Sequence, residues 1–234
     1  MSNFIVCLAH FCELHGPSTI ICTQMTSSED RAQQQLLSSS SRPQTCASCS
    51  LMLPSGAMNL VTKENGGDGA KCFVSTHYPS LQQRYAALTK LVMKSLSVET
   101  TTDISKPVFF GDAVNGYCVT KIFRAVDANA RGSERKYSLM VASDSENDLL
   151  SQWNTITMYL SELIALIQKS VETAAEGASA EPLQKSASSN SVFDNERYLR
   201  RSMIKPRSLV ELTGDRDLFV KFHLWALELL KDIS

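Results

Sequence analysis

Arg131 sits in the run Asp127-Ala-Asn-Ala-Arg131-Gly132, between two strand-like stretches, Tyr117–Arg124 and Lys136–Ala142. That spacing puts one guanidinium at the tip of a long hairpin, the kind of place where a rigid scaffold presents binding residues. A guanidinium is a planar fork of donors matched to oxyanions, which lysine is not. Most loop arginines are merely solvated, so spacing alone gives Arg131 no role. Two groups of cysteine and histidine are the other candidates. Cys7, His10, Cys12 and His15 are close in sequence. Residues three apart in an extended strand face opposite ways, however, so Cys7 and His10 cannot reach one ion without a sharp bend. They read as buried strand cysteines and turn histidines. Cys46-x-x-Cys49 with Cys72 and His77 would make a Cys3His zinc set that anchors an otherwise loose segment. One Cys-x-x-Cys without a second tight pair, in serine-rich surroundings, is a weak signal. Neither a metal nor a cofactor is assigned. No P-loop, G-x-G-x-x-G, H-E-x-x-H or G-x-S-x-G pattern occurs.

The elements that must position these residues follow from periodicity. Phe4–Ala9 and Ser18–Met25 are β-rich and flank the turn residues Glu13 to Pro17, which predicts an opening antiparallel hairpin. Residues 26–70 hold few large apolar side chains and include Ser38–Ser41 and Asn65-Gly66-Gly67-Asp68-Gly69, a composition expected to leave a largely disordered insertion. Lys71–His77 resumes the order. Ser80 with Gln83 has a capping-box pattern, and Leu81, Tyr85, Leu88, Val92 and Leu96 repeat at helical spacing. Val108–Phe110 joins the two hairpin stretches as a third short strand. Leu149, Trp153, Ile156, Leu160, Leu163, Ile167 and Val171 then predict one long amphipathic helix, its start marked by the acidic Asp144, Glu146 and Asp148. Glu176 to Asn190 reads as a linker. A basic run from Arg197 to Arg207 follows, and Leu218, Phe222, Trp225, Leu229 and Ile233 make a last helix. A mostly antiparallel sheet with helices on its faces, an α/β sandwich of the α+β kind, satisfies each apolar face in that order.

The totals fit such a domain. Apolar residues at 43% and charged ones at 20% suit an ordinary globular core, and 23 basic against 24 acidic residues leave no basic field for nucleic acid. The first residues lack the basic start of a secretory signal, and no window approaches the ~20 apolar residues of a spanning helix. Seven cysteines then read as reduced thiols in the cytoplasm.

With those residues in place, the opening Cys-Leu-Ala-His10-Phe-Cys-Glu-Leu-His15-Gly-Pro17 resembles the start of the folliculin family, whose members begin with a near-identical H-F-C-E-L-H-G-P block. Further matching blocks occur in the family's order: Cys46-Ala-Ser-Cys49, Val108-Phe-Phe-Gly-Asp112 with Gly116, Ala130-Arg131-Gly132 ahead of Tyr137-Ser138, and Arg207-Ser-Leu209 through Leu212-Thr213 into the helix of Trp225. The chain is similar to the short fungal, yeast-type members. The resemblance implies a longin domain of the DENN type over residues 1–175, a five-stranded antiparallel sheet with one helix on one face and two on the other. Residues 176–206 would be a flexible, locally basic linker and 207–234 a C-terminal helical segment.

It also implies function. Members pair with a folliculin-interacting-protein subunit, itself built of longin and DENN modules. The pair stimulates GTP hydrolysis by a RagC-type small GTPase in amino-acid signalling to the TOR kinase complex, without an independent active site. The family's arginine finger matches Arg131, and peripheral association with the vacuole membrane would run through partners. The rival expectation is a non-catalytic longin scaffold for vacuolar recruitment and amino-acid permease trafficking. Longer members carry a second, carboxy-terminal DENN module beyond the helix of Trp225.

Overall fold

The apolar runs near the start are almost continuous because both faces of their strands are covered. A computed structural model describes residues 3–26, 29–40, 46–66, 69–97, 103–104, 106–179 and 206–234. Its strands are β1 (Ile5–Cys12), β2 (Gly16–Thr26), β3 (Leu60–Gly66), β4 (Gly69–Thr76), β5 (Val108–Asp112), β6 (Gly116–Val126) and β7 (Glu134–Ser143). They form one seven-stranded sheet in the order β3-β4-β2-β1-β7-β6-β5, and every neighbouring pair is antiparallel. The chain is therefore α+β, as expected, with seven strands in the sheet where five were expected.

The two extra strands are β3 and β4, paired from Leu60↔Ser75 to Gly66↔Gly69 and added outside β2. Helix α1 (Glu29–Ser40) precedes them. Ordered elements thus occupy much of the stretch whose composition suggested disorder. Leu60 and Val61, with Phe73 and Val74 on the neighbouring strand, supply what that reading missed, because a strand needs few large side chains when a neighbouring strand shares its faces.

Alternation sorts the core into two layers. Val6 and Leu8 point to one face with Ile21, Val119, Leu139 and Val141, whereas Ile5, Cys7 and Ala9 point to the other with Cys22, Cys118 and Met140. On this second face lies α2 (Gln82–Ser95), through Leu88, Leu91 and Val92, followed by Leu96. Ala32 of α1 packs on Cys72 and Val74. Val74 lies across from Gln24, two residues from Cys22, so α1 shares that face. The Ser80–Gln83 capping box does not form; α2 begins after Leu81, whose side chain caps nothing. On the first face lie α3 (Glu146–Ser151), α4 (Trp153–Ser179), α5 (Leu209–Thr213) and α6 (Leu218–Ile233). The single helix expected over this region is broken at Gln152, and Ser145 caps α3 by accepting the Asp148 N–H at 3.3 Å. Ser208 and Glu211 make a reciprocal capping box at α5, and Gly214 in the left-handed region ends it. Among the described residues no helix is long and apolar enough to cross a membrane. The linker core and the basic run up to Lys205 lie outside the described residues.

One polar network crosses the first face. His223 of α6 is buried, with Nδ1 2.7 Å from Ser75 Oγ and Nε2 2.9 Å from Thr62 Oγ1, and Ser75 meets Thr23 at 2.6 Å. Hydroxyls donate or accept, so a neutral imidazole is satisfied on both sides. Burial lowers the His223 pKa from 6.5 to about 4. The unfolded chain binds the extra proton between those values. This contribution is full above the unfolded pKa and is lost as pH falls toward the folded one. Between pH 7 and 5, urea unfolding should show the wild type losing about 2 kcal/mol more than His223→Gln; equal losses would contradict the assignment.

Candidate functional site

Strands β6 and β7 are longer than periodicity indicated, pairing out to Val126↔Glu134, so the loop that carries Arg131 is residues 127–133. Its conformation is fixed from below. Asp127 and Arg135 are both buried, and Arg135 Nε donates to Asp127 Oδ2 at 2.6 Å. The other carboxylate oxygen of Asp127 accepts the Asn129 N–H at 3.0 Å and lies 3.9 Å from Arg207 Nη1. Backbone bonds from Ala130 N–H to Asp127 O (2.9 Å), Ser133 N–H to Ala130 O (3.0 Å) and Asp127 N–H to Ser133 O (3.0 Å) close the turn. Arg131 begins a single 3-10 turn, and Gly132 takes φ +78°, a conformation that a side chain disfavours. Arg131 is exposed; its N–H donates to Glu13 Oε1 at 2.6 Å, and its guanidinium has no ion pair among the described residues.

Glu13 belongs to the β1–β2 turn, which carries the first cysteine and histidine group. Cys7 points to the α2 face and His10 to the other, as strand alternation requires; burial raises the Cys7 thiol. The zinc set read from the sequence is not assembled. Cys72 is buried against Ala32 and Val74, and His77 Nδ1 is 2.8 Å from the Ile20 carbonyl, which it serves as donor. Cys46 and Cys49 turn instead to Cys12 and His15, and the four ligand atoms lie within 4.8 Å of one another. The missed signal was a match of spacing: Cys12-x-x-His15 in a turn has the form of Cys46-x-x-Cys49. The contact with Cys49, above all, holds the Cys12 thiol well below the ordinary range.

The β1–β2 turn, the segment of residues 46–49 and the Arg131 loop therefore share one end of the sheet. A family model described as "Folliculin: Vesicle coat protein involved in Golgi to plasma membrane transport" matches residues 71–233, well over half of the chain. The chain belongs to the folliculin family. It is 29% identical over 248 residues to Protein LST7 of Saccharomyces cerevisiae, an alignment covering all of this chain and 97% of that protein. It is 28% identical over 166 residues to the folliculin-like protein bhd1 of Schizosaccharomyces pombe, covering 65% of this chain and 45% of bhd1. Against human folliculin the identity is 26% over 266 residues, with 98% of this chain and 45% of the human protein covered. The chain spans nearly all of one relative and less than half of the other two. The matched family region contains the Arg131 loop and both partners of its buried ion pair.

Support and presentation are separable in this loop. Asp127→Ala leaves the Arg135 charge buried without its partner and should cost about 3–5 kcal/mol in urea unfolding. Arg131→Ala removes an exposed side chain and should stay within about 0.5 kcal/mol of wild type. Similar losses in the two variants would refute this division.

Proposed function

We propose that this folliculin-family chain pairs with a folliculin-interacting-protein-type subunit and stimulates GTP hydrolysis by a RagC-type GTPase, with Arg131 as the arginine finger. The setting is amino-acid signalling to the TOR kinase complex at the vacuole surface. The observation that carries this reading is an exposed guanidinium on a backbone held by a buried ion pair and by Glu13. GTP hydrolysis builds negative charge on the γ-phosphoryl and bridging oxygens. A guanidinium inserted in trans neutralises it with rigid paired donors, worth ~10³–10⁵ in rate. Such a finger must project while its backbone stays put, which the loop provides. Phe11 and Leu14, 45% and 65% exposed, flank the same end and offer apolar contact to a docked GTPase.

The finer fold assignment belongs to the same proposal. Strands β2-β1-β7-β6-β5, with α2 on one face and α4 and α6 on the other, fit a longin domain of the DENN type; α1, β3 and β4 are then an elaboration. The outer edge of β5 is a ready place for the partner subunit. The family description, a coat protein in Golgi-to-plasma-membrane transport, favours a second reading: a non-catalytic longin adaptor in permease trafficking.

Arg131 separates the two. Purified with its partner subunit, Arg131→Ala should keep the complex intact and lower single-turnover GTP hydrolysis on the RagC-type GTPase by about 10³ or more, and Arg131→Lys should restore little of it. Unchanged hydrolysis would leave the adaptor.

A further inference from the structure

We infer that Cys12, His15, Cys46 and Cys49 bind one zinc ion as a closed structural site, which staples the segment of residues 46–49 to the β1–β2 turn. The distances carry this. Tetrahedral zinc with sulfur at about 2.3 Å and nitrogen at about 2.0–2.1 Å keeps sulfurs about 3.8 Å apart and sulfur about 3.5 Å from nitrogen. Cys46 Sγ lies 3.6 Å from both Cys12 Sγ and Cys49 Sγ. His15 Nδ1 lies 3.5 Å from Cys12 Sγ and 3.6 Å from Cys49 Sγ. These match four of the six edges of one coordination tetrahedron, and all four donor atoms lie within 4.8 Å of one another. The sulfurs are far beyond the about 2.05 Å of a disulfide. Three soft thiolates with one imidazole select zinc among common divalent ions. All four positions are filled by protein, so the ion would serve structure and not catalysis.

The surroundings are those of a metal site. His10 is fully buried, and its Nε2 lies 3.2 Å from Cys49 Sγ. Nδ1 has no hydrogen-bond partner among the described residues, which favours the tautomer whose Nε2–H donates to a bound thiolate. Ser48 Oγ is 3.0 Å from Cys46 Sγ and 3.7 Å from Cys12 Sγ, so its hydroxyl also serves the sulfurs. The Cys46 carbonyl accepts the N–H groups of Cys49 (3.0 Å) and Ser50 (3.1 Å), shaping the knuckle that turns both sulfurs one way. Cys7, Cys22 and Cys118 are, by contrast, dispersed in the apolar layer under α2.

The site has a consequence for the neighbouring loop. Glu13 lies between two of the ligands and accepts the Arg131 N–H, so an ion that fixes the turn also fixes the backbone of Arg131. Only the bearing of this on hydrolysis rests on the proposed role of Arg131; metal content and amide exchange report on the zinc site independently.

The test uses the full chain from zinc-replete cells. Elemental analysis should find about one zinc per chain, falling to about a tenth or less in Cys46→Ser/Cys49→Ser and staying near one in Cys72→Ser and His77→Gln. Cobalt(II) exchanged into the wild type should give intense tetrahedral d–d bands with thiolate charge transfer. Because both wild-type readings are independent of how the double variant folds, metal-free wild type that yields no such spectrum overturns the site. So does zinc that leaves with Cys72 and stays without Cys46 and Cys49. Stripping the ion should speed amide exchange over residues 127–133 by about tenfold or more; unchanged exchange would overturn the link to Arg131.

Discussion

The pairing of β1 with β7 is the constraint on which the rest depends. Its register sets His10 opposite Tyr137 and Ala9 opposite Ser138, which carries the far end of β1 to the near end of β7. The β1–β2 turn and the β6–β7 loop are more than a hundred residues apart in sequence, yet this one ladder makes them neighbours. A slip of β1 by one residue would turn Leu8 away from the α4 face and Cys7 toward it. Burial on both faces therefore fixes the register, and the register fixes the site. The aromatic stack of His10, Tyr137 and Phe123 sits at this crossing, with ring centroids 5.9 and 5.2 Å apart.

At that end, charge is handled in two ways. Asp127 and Arg135 are sequestered, satisfied by one another, by the loop backbone and by Arg207 at the entrance to α5. A buried pair of this kind adds little net stability over an apolar pair, but breaking it is costly, and this makes the loop conformation nearly all-or-none. Arg131, four residues along, is left in solvent. Arg207 reaches Asp127 from the far side of a stretch outside the described residues and also donates to the Glu211 carbonyl at 2.9 Å. The start of the C-terminal helical pair is thus joined to the loop that an arginine finger would need.

Much of this architecture was legible where the code is periodic. The continuous apolar run over Ile5–Ala9 and the 3.6-residue stripes of α2, α4 and α6 report burial directly, and those elements match within a few residues. The break at Gln152 left no mark on the stripe, because the apolar spacing continues through it. β3 and α1 were hidden for another reason. Their sequences are polar, and their order comes from β4 and β2 beside them, a tertiary effect that composition cannot register. Ser208-x-x-Glu211 was a readable capping box, obscured by the basic run before it.

The cysteine and histidine cluster shows how a sound local rule can misdirect. Strand geometry excludes a shared ion for Cys7 and His10, and they do face apart. That exclusion does not reach Cys12 and His15, because Cys12 ends β1 and His15 lies in the turn, where strand alternation no longer applies. Choosing partners for Cys46 and Cys49 by sequence proximity selected Cys72 and His77, whereas the sheet brings residues 34 positions upstream into contact. Proximity along the chain is a poor guide in a fold whose first strand is central. What sequence does offer is the pairing of two short x-x knuckles of like span, each in a turn. Such knuckles can converge from any separation, because each is locally preshaped to aim two donors at one point.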